Sequence, residues 1–201
     1  MSRVVDFVRD AGTKSVTFTE FPDQYAKEYR ARELLWDDVC LMIKNAGPFG
    51  SKEEAPWIKL ADFSGTPTDK GCYRHNAGVV RVTGIECDYD DEGLGVEEAA
   101  KKLRDAEINC FIYTSGSYRA DAPRFRVLAP LSSGYKGDEA EMKAYRSVMI
   151  KRLETVLGIT FATESHTLSQ AYYYGQVEGV EFRTFKIEGE YVDVRWDLDS
   201  G

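Results

Sequence analysis

The chain has 201 residues, 43% of them hydrophobic and 30% charged, which is enough apolar material for one globular domain with a real core or for two small subdomains. Acidic residues number 34 against 26 basic ones, a net charge of −8; this excludes the bulk signature of a nucleic-acid coat protein, so any nucleic-acid surface has to be a local basic patch. Two histidines and four widely spaced cysteines, with no Cys-x-x-Cys pair, argue against structural zinc, and the short apolar stretches argue against a membrane span.

Met1-Ser2-Arg3-Val4-Val5-Asp6 lacks the long apolar core of a signal peptide, so the expectation is a reducing, cytoplasmic protein. Leu34, Leu35, Val39, Met42 and Ile43 fall at helical spacing and predict a first helix over 23–45, stopped by Gly47-Pro48. Residues 57–63 alternate like a short strand between loops at 48–54 and 64–72. The most strand-like run is 79–88. Gly93-Leu94-Gly95 reads as a turn; a phosphate cradle there is the weaker reading, because no third glycine follows. A helix is expected over 96–107. Strands are expected over 109–114 and 124–129, the second ended by Pro130, and a long helix over 138–157 is capped by Gly158. Residues 170–174 and 180–187 read as strands and as a candidate antiparallel pair.

The order β-α-β-β-α-β over 79–175 is that of a split βαβ plait. The expected fold class is therefore α+β: a ferredoxin/RRM-like split βαβ catalytic core with an N-terminal mixed α/β segment packed on it. One domain would span 1–201, with 1–75 as the accessory segment and 76–195 as the core.

The run Gly84-Ile85-Glu86-Cys87-Asp88-Tyr89-Asp90 carries the chemistry of most interest. Alternate strand residues share a face, so Asp88 and Asp90 would point the same way. Their mutual repulsion is relieved by a hard divalent cation, which prefers oxygen ligands and keeps waters and substrate phosphates. That arrangement suits phosphoryl or nucleotidyl transfer. The competing reading is an acidic turn at 90–93 with no chemistry. Two later segments belong with it. One is Ile112-Tyr113-Thr114-Ser115-Gly116-Ser117-Tyr118, followed by Pro123-Arg124-Phe125-Arg126. The other is Ala162-Thr163-Glu164-Ser165-His166-Thr167-Leu168-Ser169-Gln170-Ala171-Tyr172-Tyr173-Tyr174.

Taken in order, the three segments resemble the archaeo-eukaryotic primase superfamily, in the primase-polymerase form of phages, prophages and plasmids. The resemblance covers about 56–191. It implies a template-directed nucleotidyltransferase in the replication of a mobile element, acting on nucleoside triphosphates and a single-stranded DNA template. Asp88, Asp90 and Glu164 would hold Mg²⁺ or Mn²⁺ as the catalytic acids. Ser117, Tyr118, Arg119, Arg124 and Arg126 would bind nucleotide, and Arg74, His75 and Gln170 would bind DNA. A helicase domain in the full-length chain is the implied partner. Tyr118 stands where the family has histidine, so Tyr118→His is expected to raise incorporation. A non-catalytic DNA- or nucleotide-binding relative acting in replication initiation, and a two-metal nuclease, remain as alternatives. Arg124 and Arg126 also read as ordinary ion-pair partners, and Tyr172, Tyr173 and Tyr174 read either as base-stacking residues or as buried strand residues.

Overall fold

The computed structural model describes residues 14–200, and the signal-peptide reading of Met1 to Asp6 lies outside them. In chain order the elements are β1 (Ser15–Phe21), β2 (Arg30–Leu35), α1 (Trp36–Asn45), β3 (Trp57–Lys59), β4 (Ala61–Phe63), β5 (Val79–Tyr89), α2 (Val96–Asp105), β6 (Cys110–Thr114), β7 (Phe125–Tyr135), α3 (Glu139–Leu157), β8 (Tyr172–Tyr173) and β9 (Thr184–Ile187). They build an α+β fold, as expected, around two antiparallel sheets ordered β2-β1-β3-β8 and β4-β5-β7-β6-β9.

The larger sheet is the expected plait as far as α3, with β5 and β7 side by side at its centre. Its outer position beside β5 is taken by β4, from the N-terminal segment, and not by 170–174. Tyr172 and Tyr173 pair with Ile58 and Trp57 of β3 in the other sheet. Residues 170–174 and 180–187 are therefore no antiparallel pair; β9 borders β6 instead. Each half of the chain thus lends a strand to the other half's sheet.

Two further expectations are corrected. The helix predicted over 23–45 is helical only from Trp36, and Arg30–Leu35 forms β2. Ala, Arg, Glu and Leu are good helix formers, but cross-strand partners outweigh that preference here. Arg32 reaches Glu20 of β1 at 3.1 Å and lies over the Phe18 ring. Pro130 does not end β7. The missing N–H falls opposite Gly84, where the β5 register shifts, the kind of irregular position at which a sheet tolerates proline.

The larger sheet has two apolar faces. Ile85, Cys87 and Tyr89 of β5, with Phe125, Val127 and Ala129 of β7, pack on α2 and α3. Phe111 and Tyr113 of β6, with Leu128 of β7, pack on β1, β3 and α1. Glu86 and Asp88 share this second face. The face expected to be open is therefore covered by the smaller sheet, and Asp88 lies at its rim, 16% exposed. Among the described residues no helix is long and apolar enough to cross a membrane, and the four cysteines are free.

Candidate functional site

Asp88 stands directly opposite Arg126 in the β5–β7 register. Arg126 Nε donates to Asp88 Oδ1 at 2.8 Å, and its second nitrogen donates to the Tyr173 carbonyl at 2.6 Å. The guanidinium lies 3.9 Å from the Tyr173 ring centroid and 5.0 Å from that of Tyr172. Tyr113, next to Arg126 on β6, donates its hydroxyl to the same Tyr173 carbonyl at 3.2 Å. Arg126 is buried and held by Asp88 and the Tyr173 carbonyl, so it is no free phosphate grip. Arg124, just outside β7, pairs with Glu92 at 2.7 Å and keeps 38% of its side chain exposed. The two arginines thus do not act alike.

The third expected acid is brought to the same strand end by main-chain bonds. The Ala162 amide donates to the Asp88 carbonyl at 2.9 Å, and the Asp88 amide donates to Ser165 Oγ at 3.0 Å. Glu164 lies in the short 3₁₀ turn Thr163–His166 between these two anchors. Ser165 is fully buried, shares a 2.9 Å hydrogen bond with the Tyr172 hydroxyl, and accepts from Arg146 through its carbonyl at 3.0 Å. Asp90 and Glu164 are exposed. Burial raises the Asp88 carboxyl above the usual aspartate value against the pull of Arg126, and the charges of Asp90 and Glu164 push it further up.

All three acids offer oxygen, the donor type a hard cation prefers. Among the described residues no three Asp, Glu, His or Cys side chains are arranged to hold an ion by themselves. Mg²⁺ does not require that, because one or two carboxylates plus waters and substrate phosphates commonly complete its shell. Asp88 and the exposed Asp90 and Glu164 are the carboxylates such an ion would have to use.

Beneath Asp88, Glu86 forms a cluster that the sequence reading did not single out. Its carboxylate meets Lys59 Nζ at 2.6 Å and Arg146 at 3.0 Å, and accepts from the Leu60 amide; all three charged side chains are fully buried. Burial, then the charge of Arg146, lowers the Lys59 amine to about 8, against the pull of Glu86. Alternation along β5 places Glu86 on the Asp88 face, but nothing local in the sequence names Lys59 or Arg146 as its partners.

The remaining expected residues are scattered. Tyr118 has 7% exposure and belongs to the apolar cluster on the helix side of the sheet, with Arg183 over its ring at 5.9 Å. Packed in that cluster, its ring does not stand free at the surface. Ser117 and Arg119 beside it are exposed, and Arg119 pairs with Asp121 at 3.1 Å. Arg74 donates to the Gln24 carbonyl at 3.0 Å and lies 5.3 Å over Trp57, whose ring meets Tyr173 at 5.9 Å. His75 bonds the Thr66 carbonyl at 2.8 Å, and the Gln170 amide bonds the Ala171 carbonyl at 3.0 Å. Tyr172, Tyr173 and Tyr174 are all buried, which removes the base-stacking reading for them. Gly95 caps α2 in extended backbone, and the Gly93 amide is taken by the Tyr89 hydroxyl at 2.9 Å.

No protein-family model matches the chain, and no curated protein matches it at a significant level. Among solved structures it is similar to the AEP domain of the cyanophage S-2L primase-polymerase, at 13% identity and a TM-score of 0.44, over 90% of this chain and 85% of that one. At that degree of likeness, function rests on this chain's own residues.

Proposed function

We propose that the chain is a divalent-metal-dependent, template-directed nucleotidyltransferase of the DNA primase/polymerase type, serving replication of a mobile element. What supports this is the position of Asp88 at the end of β5, with Asp90 just beyond it and the turn carrying Glu164 tied to Asp88 through the Ala162 amide and Ser165 Oγ. These three residues would hold Mg²⁺ or Mn²⁺. When bound, the cation supplies charge neutralisation at the attacking and leaving oxygens of the transfer. The chain's own residues orient the partners. Ser117, Arg119 and Arg124 offer exposed donors for a triphosphate, and Arg74 and His75 offer a basic approach for a single-stranded template.

A non-catalytic binding module is the second reading. The Asp88–Arg126 pair favours it, because one acid is already neutralised from within the protein. Incorporation of labelled nucleotide on single-stranded DNA, with Mn²⁺ against a chelator, separates the two. Metal-dependent incorporation abolished by Asp88→Asn supports the enzyme. DNA binding without incorporation supports the module.

A further inference from the structure

We propose that the cleft at the opposite end of β5 from Asp88 binds a phosphate group, with Arg81 as its main donor. This site is separate from the acids of the proposed transferase and does not depend on that reading.

Three observations carry it. The first is a break in the β5–β7 ladder. Gly84 faces Pro130 but Val82 faces Tyr135, so residues 131–134 stand opposite Thr83 alone. Ser132 turns away from β5, its amide and hydroxyl both held by the Asp193 carboxylate. Irregularities of this kind re-aim side chains and are common beside functional sites. Here a cleft of about 260 Å³ opens, lined by that stretch of β7, the start of β1 and Arg81. The second observation is that Arg81 is fixed in place. Its Nε donates to Asp62 Oδ2 at 2.6 Å and its Nη2 to Thr17 Oγ at 2.9 Å. Gly134 makes room for it, because a Cβ there would meet Arg81 Cδ at 2.7 Å. Neither of these bonds uses Nη1, and 32% of the side chain remains exposed. The third is the chemistry of the remaining wall. Lys14 adds a second cation, and the Thr17 hydroxyl, which accepts from Arg81, keeps its own proton to donate. The one acid in the lining, Glu33, already accepts from Ser15 Oγ at 2.6 Å. A guanidinium held in one plane beside a lysine and a hydroxyl suits the oxygens of a phosphate.

The test titrates the whole chain with inorganic phosphate and, separately, with a nucleoside monophosphate, followed by amide chemical shifts in isotope-labelled protein. Saturable shifts should centre on the residues of the cleft. Arg81→Gln removes the main donor and should weaken binding about tenfold, as for one lost charge-assisted hydrogen bond. Asp62→Asn frees the guanidinium from its resident carboxylate and should tighten binding by roughly threefold, the scale of a part-exposed ion pair. Both substitutions break the same ion pair, so damage to the shape of the cleft would weaken binding in both. Opposite signs therefore report charge at the ligand. If Arg81→Gln fails to fold, Lys14→Gln decides with Asp62→Asn, and should weaken binding by a few-fold. Tighter binding of the monophosphate than of phosphate means that the attached group uses the apolar wall at Leu131; equal binding means that the phosphate alone is read, and both agree with the proposal. Absence of saturable shifts, shifts centred on Lys27, Lys70 and Arg74, or weaker binding in Asp62→Asn overturns it. Each of these leaves the transferase reading untouched.

Discussion

Glu86 holds two buried cations and a main-chain amide at once. Glu86→Gln leaves Lys59 and Arg146 as like charges in the interior, a loss of about 3–5 kcal/mol for a broken buried pair. Lys59→Met leaves a one-to-one pair of Glu86 and Arg146 and should cost far less. Urea denaturation of the two variants checks the ranking. The same cluster gives a pH signature. The folded state holds the Lys59 proton less tightly than the unfolded chain, since its amine falls to about 8. Between that value and the ordinary lysine range the unfolded state binds more protons, so stability rises with pH there. Wild type should gain on Lys59→Met as pH climbs above about 8, and parallel stability profiles for the two would contradict this. Tyr118 yields a prediction opposite to the one from sequence. Its ring is packed in the helix-side core, so Tyr118→His should cost stability, about 1–3 kcal/mol, and leave incorporation no higher. A rise in nucleotide affinity would place the side chain at the site after all.

At the level of elements, the 3₁₀ turn carrying Glu164 is fastened to β5 through Ser165. Ser165→Ala deletes the acceptor for the Asp88 amide and a partner of the Tyr172 hydroxyl, a cost of about 1–3 kcal/mol for the unsatisfied groups. Hydrogen exchange should rise at Asp88 and 162–166 ahead of the rest of β5; uniform protection would mean the turn is held by other contacts. Gly84 is fixed by close approach: a Cβ there would meet Leu60 Cβ at 2.8 Å and the Ala129 carbonyl at 2.9 Å. Much of this was legible beforehand. The strand that carries Asp88, the helix over α2, and the Asp138 and Gly158 ends of α3 follow from period and capping, and Asp138 indeed forms a capping box with Glu141. What local pattern did not reveal was decided by partners far away in sequence. Arg30–Leu35 is a strand because β1 lies beside it, and Tyr172–Tyr173 leaves the plait because β3 offers an edge. Arg126 looked like a phosphate grip because its alternation with Arg124 was visible and its burial against Tyr173 was not.

For the whole molecule, a net charge of −8 opposes any polyanion, so DNA attraction must be local. The candidate basic patch lies in the loops joining β1 to β2 and β4 to β5. The Tyr73 amide bonds the Ala26 carbonyl and Lys27 reaches the Lys70 carbonyl, which draws Lys27, Lys70 and Arg74 to one lobe beside Trp57. Single-stranded DNA should bind with a salt slope of roughly 0.7 per phosphate contact, and Arg74→Ala should lower that slope by about one contact. Affinity that does not change between low and physiological salt would contradict a basic patch. The most direct test of the metal-dependent transferase is a crystal of the chain soaked with Mn²⁺ and a nucleoside triphosphate, read by anomalous scattering. The expected result is a manganese peak at the β5 end, ligated by Asp88 together with Asp90 or Glu164 and by triphosphate oxygens. A triphosphate bound with no manganese at Asp88, or manganese bound only elsewhere on the acidic surface, would contradict it.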